Sequence, residues 1–140
     1  MLKRIVVAIV IFVMVSASVI TAQEPDKEKI AIAAAEKWLA LVDTGKYAES
    51  WREAASYFRT SVEQEQWKHS LTAVRKPLGK LLSRKVKNRK YLTSLPGAPD
   101  GEYMVIQFET SFANKKSSIE TVTPMRVKDG KWRVSGYYIN

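Results

Sequence analysis

The sequence predicts an α+β fold, three helices packed on a curved four-stranded antiparallel sheet. Three observations carry that expectation. Apolar residues recur at helical spacing from Asp26 to Leu78, and from Glu102 onward they alternate strictly with polar ones. Between the last two alternating segments, Asp129-Gly130 is the dipeptide that closes a two-residue hairpin. Helices followed by a meander give one layer of each kind around a shared core, and 140 residues suffice for one such domain.

The chain opens with a cationic Met1-Leu-Lys3-Arg4, an uncharged run from Ile5 to Ile20, and Thr21-Ala22 before the polar Gln23-Glu24. A positive start, a short apolar stretch and a small boundary residue predict a secretory signal peptide over residues 1–22. Ala22 is the expected last residue removed, with Ala17 a second site. The apolar run is shorter than the ~20 residues a spanning helix needs, although an uncleaved inner-membrane anchor is the alternative. The expected location is therefore exported, periplasmic or secreted, with residues 23–140 as a single domain. Losing Lys3 and Arg4 leaves 21 basic against 14 acidic residues, a net charge of +7.

Asp26 is placed to cap a helix running to about Val42, whose Ile30, Ala34, Trp38 and Leu41 form one stripe, with Gly45 as its stop. A second helix is expected from Lys46 to Phe58, turning Tyr47, Trp51, Ala54, Ala55 and Phe58 inward. Thr60-Ser-Val-Glu63 matches a capping box before a third helix carrying Trp67, Leu71, Val74 and Leu78, which Pro77 and Gly79 end. A first strand is expected over Arg84–Thr93, followed by the turn Ser94–Gly101. In the next strand Met104, Ile106, Phe108, Thr110 and Phe112 share a face; Ile119, Thr121, Thr123, Met125 and Val127 do so in the third, and Trp132, Val134, Gly136 and Tyr138 in the last. With Lys115-Lys116 and Asp129-Gly130 as two-residue loops, all three apolar faces fall on one side, and a one-residue slip would undo that. Pro124 cannot donate to a ladder, so a bulge or a locally exposed edge is expected there.

The order of elements carries a resemblance, together with Ala34-Ala-Glu-Lys-Trp38, Tyr47-Ala-Glu-Ser-Trp51 and Asp129-Gly-Lys-Trp-Arg-Val-Ser-Gly-Tyr137. They look like the cone-shaped nuclear-transport-factor-2-like (cystatin-like) superfamily. With Gly79-Lys-Leu-Leu-Ser-Arg84, Leu95-Pro-Gly-Ala-Pro99 and Phe108-Glu-Thr-Ser-Phe112, almost the whole mature chain resembles a family of small exported bacterial proteins, domain of unknown function 4019. The resemblance implies a cone-like fold and an export compartment. It brings no activity and no catalytic residues.

Composition removes whole chemistries. Zero cysteines exclude disulfides, thiolate zinc sites and cysteine nucleophiles, and a single histidine argues against a multi-histidine metal site or a serine–histidine–aspartate triad. No cofactor or metal is expected. The first candidate site is the sheet face beneath the helices, in the rows Phe108–Thr123–Gly136 and Thr110–Thr121–Tyr138. Apolar walls with a few hydroxyls suit a small ligand, unless Trp51, Trp67 or Phe58 fills the space. Enzymes on this cone usually carry a histidine and a carboxylate inside. Here the expected interior holds no ionisable group but the Tyr138 phenol, and His69 falls on a flank, so no enzymatic activity is expected.

On the opposite face the expected register makes Glu109 and Glu120 diagonal neighbours and sets Arg126 across from Arg133, where an anion or a partner carboxylate would relieve the like charges. From Arg75 to Lys90 stand eight cations without an acid: Arg75, Lys76, Lys80, Arg84, Lys85, Lys87, Arg89 and Lys90. They suit an anionic membrane or envelope polymer, and as an edge strand they also discourage aggregation. No nucleic-acid motif accompanies them, so no nucleic-acid partner is expected. The first functional expectation is a non-enzymatic exported protein whose cone-like domain binds a small molecule or a partner protein. The alternative is a peripheral module held to an anionic surface by Arg75–Lys90. A homodimer through the outer sheet face is left open by the resemblance.

Overall fold

Asp26 begins the first helix as its side chain predicts. In the computed structural model, which describes residues 26–140, its Oδ1 accepts from the Glu28 amide at 3.0 Å and caps α1, Lys27–Asp43. The expected signal peptide and its cleavage sites lie outside the described residues. The buried stripe of α1 is Ala31, Ala35, Trp38, Leu39 and Val42, one position on from Ile30, Ala34 and Leu41. Ile30 is 43% exposed. Trp38 sets that rotation, because its indole donates to the Ser50 carbonyl at 2.8 Å.

The expected second helix is two: α2, Tyr47–Glu53, and α3, Ser56–Ser61. Ala54 and Ala55 between them are extended, although alanine is the best helix former. The reason lies in the sheet, where the Ala55 amide donates to the Val134 carbonyl at 2.8 Å, a bond a continuous helix would have directed to Trp51. The capping box does not form. Thr60 donates to the Tyr57 carbonyl instead, and α4, Gln64–Val74, starts at Glu63 without a side-chain cap. Trp67 and Leu71 of α4 are buried while Val74 is exposed, and Lys76–Leu78 add one 3-10 turn before Gly79 at φ +78°.

Four strands follow in an antiparallel meander of order β1-β2-β3-β4: β1 Leu81–Leu92, β2 Tyr103–Phe112, β3 Lys115–Arg126 and β4 Trp132–Ile139. The register between β2 and β3 departs from expectation by three residues. The hairpin loop is Ala113-Asn114, and Lys116-Ser117 bulge opposite Ser111 just beyond it, so Phe108 faces Glu120 and Ile106 faces Val122. That turn is held from outside. The Asn114 amide and side chain donate to Leu78 and Pro77 carbonyls at 2.9 Å each, and the Ala113 amide to Lys80 at 2.8 Å. An odd shift exchanges the faces of β3, so Ser118, Glu120 and Val122 join Phe108 while Ile119, Thr121, Thr123 and Met125 turn away.

The bulge at Pro124 forms as expected. Ser135 and Gly136 stand opposite Thr123, between the pairs Val122–Tyr137 and Pro124–Val134, and the Ser135 hydroxyl donates to the Thr123 carbonyl at 2.7 Å. The extra residue changes parity along β4. Tyr137, not Tyr138, turns toward α1, and Tyr138 is 55% exposed.

One apolar cluster joins Ala31, Ala35, Trp38, Leu39 and Val42 of α1 to Phe58, Trp67 and Leu71 and to Met104, Ile106, Phe108, Val122, Trp132 and Val134 of the sheet. Each large side chain buried there contributes roughly 1.5–3 kcal/mol.

Candidate functional site

At the C-terminal end of α1 the interior becomes ionic. Asp43 is a poor residue for that position, since helix carbonyls already place negative charge there. Two guanidinium groups offset it. Arg84 donates to both Asp43 oxygens, at 2.7 and 2.9 Å, and Arg75 to Oδ1 at 3.2 Å. Arg84 Nε turns the other way and donates to Glu120 Oε1 at 2.7 Å. Glu120, at 0% exposure, also accepts from the Thr110 hydroxyl at 2.6 Å and, on its other oxygen, from the Tyr137 phenol. Arg75 completes the group by donating to the Gly79 carbonyl at 2.8 Å and lying 4.2 Å over the Phe112 ring.

Two carboxylates and two guanidinium groups leave this network formally neutral. Burial costs an ion several kcal/mol, so each must be paired and hydrogen-bonded to remain charged. Burial alone would lower the Arg84 pKa, but its bonds to Asp43 and Glu120 outweigh that and hold it above its ordinary value. Burial, and then the Glu120 charge and hydrogen bond, push the Tyr137 phenol well up. Both groups are thus moved away from neutrality, opposite to what proton transfer at physiological pH requires.

This overturns the expectation of an interior without ionisable groups. Glu120, expected on the outer face beside Glu109, lies inside because of the register shift. A separate one-residue change separates Arg126 from Arg133, because the Val127 amide donates to the Lys131 carbonyl and the β3–β4 loop is Lys128-Asp129-Gly130 rather than the expected two residues. Arg126 faces Trp132 and pairs with Glu102 at 3.3 Å, while Arg133 faces Met125 and pairs with Glu53 at 3.5 Å. Asp43 carried a readable signal, since it continues the row Ala31, Ala35, Leu39 at intervals of four. Tyr137 and Glu120 carried none without the bulge and the turn.

The residues expected to line a pocket divide between two faces. Phe108, Thr110 and Trp67 are inside, with Trp51 half-buried against the core and bonded through its indole to the Val62 carbonyl at 2.7 Å. Thr121, Thr123 and Tyr138 belong to the outer face, so the expected three-strand rows do not form. Between helices and sheet stand Trp38, Trp67, Phe58 and Tyr137, their ring centroids 4.8–6.5 Å apart. A groove of about 370 Å³ lies elsewhere, between α1, α2 and β4, floored by Trp38, Leu41, Trp132 and Val134 and rimmed by Lys37, Glu49, Glu53 and Lys131. His69 is exposed on α4. Among the described residues no cluster of three or more histidine and carboxylate side chains is placed to hold a metal ion.

The basic segment is likewise divided. Arg75 and Arg84 belong to the buried network, whereas Lys76, Lys80, Lys85, Lys87, Arg89 and Lys90 are exposed. Lys85 pairs with Glu109 at 3.1 Å and Arg89 with Glu28 at 3.1 Å. Among the described residues, Lys76, Lys80, Lys87 and Lys90 have no acidic partner within 4.0 Å.

These features define a small α+β protein with a four-stranded antiparallel open sheet, its cations sorted between a neutral interior and a basic edge. The chain belongs to the family described as Protein of unknown function (DUF4019), which matches residues 34–137. Neither the curated proteins nor the solved structures contain a match to it.

Proposed function

We propose that this is an exported, non-enzymatic accessory module that settles on an anionic membrane or envelope polymer through the exposed part of Arg75–Lys90. The observation that carries the reading is the sorting of that segment. Arg75 and Arg84 are neutralised internally, and Lys76, Lys80, Lys87 and Lys90 are left facing water with no acidic partner within 4.0 Å among the described residues. A lysine near an anionic membrane contributes about 1 kcal/mol, so four support reversible, salt-sensitive contact. The interior supports a non-catalytic role, because Glu120 is held by three donors, of which Arg84 and Tyr137 are both raised away from neutrality. The cone-like arrangement and the export signal belong to the same reading. They are supported by one core common to α1 and the strands, and by the apolar run Ile5–Ile20.

A second reading keeps the small molecule or partner protein and moves it to the groove between α1, α2 and β4. Two tryptophans beneath a charged rim favour it.

Flotation of the purified protein with phosphatidylglycerol vesicles tests the first reading. Retention is expected at about 0.05 M salt and lost near 0.5 M, where screening shortens electrostatic reach to a few Å. No retention at low salt, or retention indifferent to salt, would overturn it.

A further inference from the structure

The outer face of the sheet carries a hollow of about 630 Å³ across β1, β2 and β3, within the range of small-ligand sites. Its floor follows from the strand register. Ser83 faces Ser111, so two hydroxyls stand side by side, and Lys85 faces Glu109, which faces Ile119 in the next strand. At its two ends the ladder is irregular. In β1 the register slips between Val86 and Asn88, making Lys87 the unmatched residue. In β3, Lys116 and Ser117 together oppose the single Ser111. Bulges re-aim side chains, and these two each supply a lysine that lines the hollow.

Charge and chemistry then narrow the ligand. Lys85 is partly satisfied by Glu109, but among the described residues Lys87 and Lys116 have no acidic partner within 4.0 Å. Among the same residues Ser83, Ser111 and Ser117 make no side-chain hydrogen bond. Arg84 and Thr110 send their side chains to the opposite face, into the buried network. The lining side chains on this face are three cations, one carboxylate, three hydroxyls and the lone apolar Ile119. Compact ammonium groups bind phosphate as point charges, and free hydroxyls suit a polyol.

We propose that this hollow binds a phosphate-bearing saccharide, its phosphates on Lys87 and Lys116 and its hydroxyls on the serines. The choice of an anionic ligand rests on the surface-binding reading above, whereas the hollow and its two bulges do not.

The test is titration with glucose 1,6-bisphosphate, followed by backbone amide NMR, with glucose and inorganic phosphate run in parallel. The bisphosphate is expected to shift the Ser83, Ser111 and Ser117 amides and to bind about tenfold or more tighter than inorganic phosphate, with glucose alone silent. K87E/K116E should weaken it by about tenfold or more, and K76E/K80E far less, because reversing close charges removes the pairing itself. The neutral pair K87Q/K116Q should lose most of the same affinity while its circular dichroism remains that of the parent. Equal affinity for inorganic phosphate, or equal loss in K76E/K80E, would overturn the site. Phosphatidylglycerol vesicles contain no sugar, so retention there with no preference for the bisphosphate sinks the hollow alone. Binding of the bisphosphate without vesicle retention sinks the surface reading alone.

Discussion

Arg84 and Lys87 stand three residues apart in one edge strand, and the fold uses them in opposite ways. Arg84 points under the helices, where its planar fork serves Asp43 and Glu120 at once. Lys87 sits in a bulge facing water, with no acidic partner within 4.0 Å among the described residues. The difference lies in strand parity and side-chain chemistry. A guanidinium can bridge two carboxylates in fixed geometry and stay charged when buried, whereas an ammonium is a strongly hydrated point charge that favours the surface. A run of like charge is therefore two features overlaid, a structural one turned inward and one left open to water.

The comparison breaks most visibly at the inner cation. Arg84→Met leaves Asp43 and Glu120 short of their shared donor, and urea unfolding should report a loss of about 3–5 kcal/mol. Lys87→Met should stay within about 0.5 kcal/mol of the parent in the same experiment. Tyr137→Phe is the next step down. It removes one donor of three from buried Glu120 and should cost about 1–3 kcal/mol, with the fold retained.

The pH dependence sharpens the same contrast. Tyr137 is raised in the folded state, and a tyrosine in the unfolded chain ionises near pH 10. Its contribution is whole below about pH 10 and is lost as pH climbs from there through the folded value. Stability of the parent should fall across that alkaline range, and Tyr137→Phe should flatten the fall. The smallest effect belongs to the surface. Glu102 is lowered by hydrogen bonds from Lys27 and Tyr91, so its contribution is present above the ordinary carboxylate range and fades as pH falls. Glu102→Gln should remove that slight acid dependence and change stability far less than Tyr137→Phe.

What could be read from the sequence followed local chemistry. The Asp26 cap and the Pro124 bulge needed only their own neighbours. The β2–β3 loop did not. Ala113-Asn114 wins over Lys115-Lys116 because Leu78, Pro77 and Lys80, over thirty positions away, hold it through hydrogen bonds. The turn alone moves the register by an even number, and the bulge of Lys116-Ser117 opposite Ser111 makes the net shift odd, so the two together carried Glu120 to the wrong face and put Thr121 and Thr123 in a pocket they do not line. The break at Ala54-Ala55 has the same origin, a distant carbonyl of Val134 overriding strong helix formers. Charge density in Arg75–Lys90 was evident from composition. Which cations turn inward depended on Asp43 and Glu120, both separated from Arg84 by more than thirty residues.

The most direct test is a single charge-reversed protein, K76E/K80E/K90E, examined for vesicle retention and urea stability together. Retention on phosphatidylglycerol should fall by about tenfold or more, while the unfolding free energy stays within about 0.5 kcal/mol of the parent. Retention equal to the parent's would contradict the claim that these exposed lysines make the contact, and so would a loss of retention matched by a loss of fold.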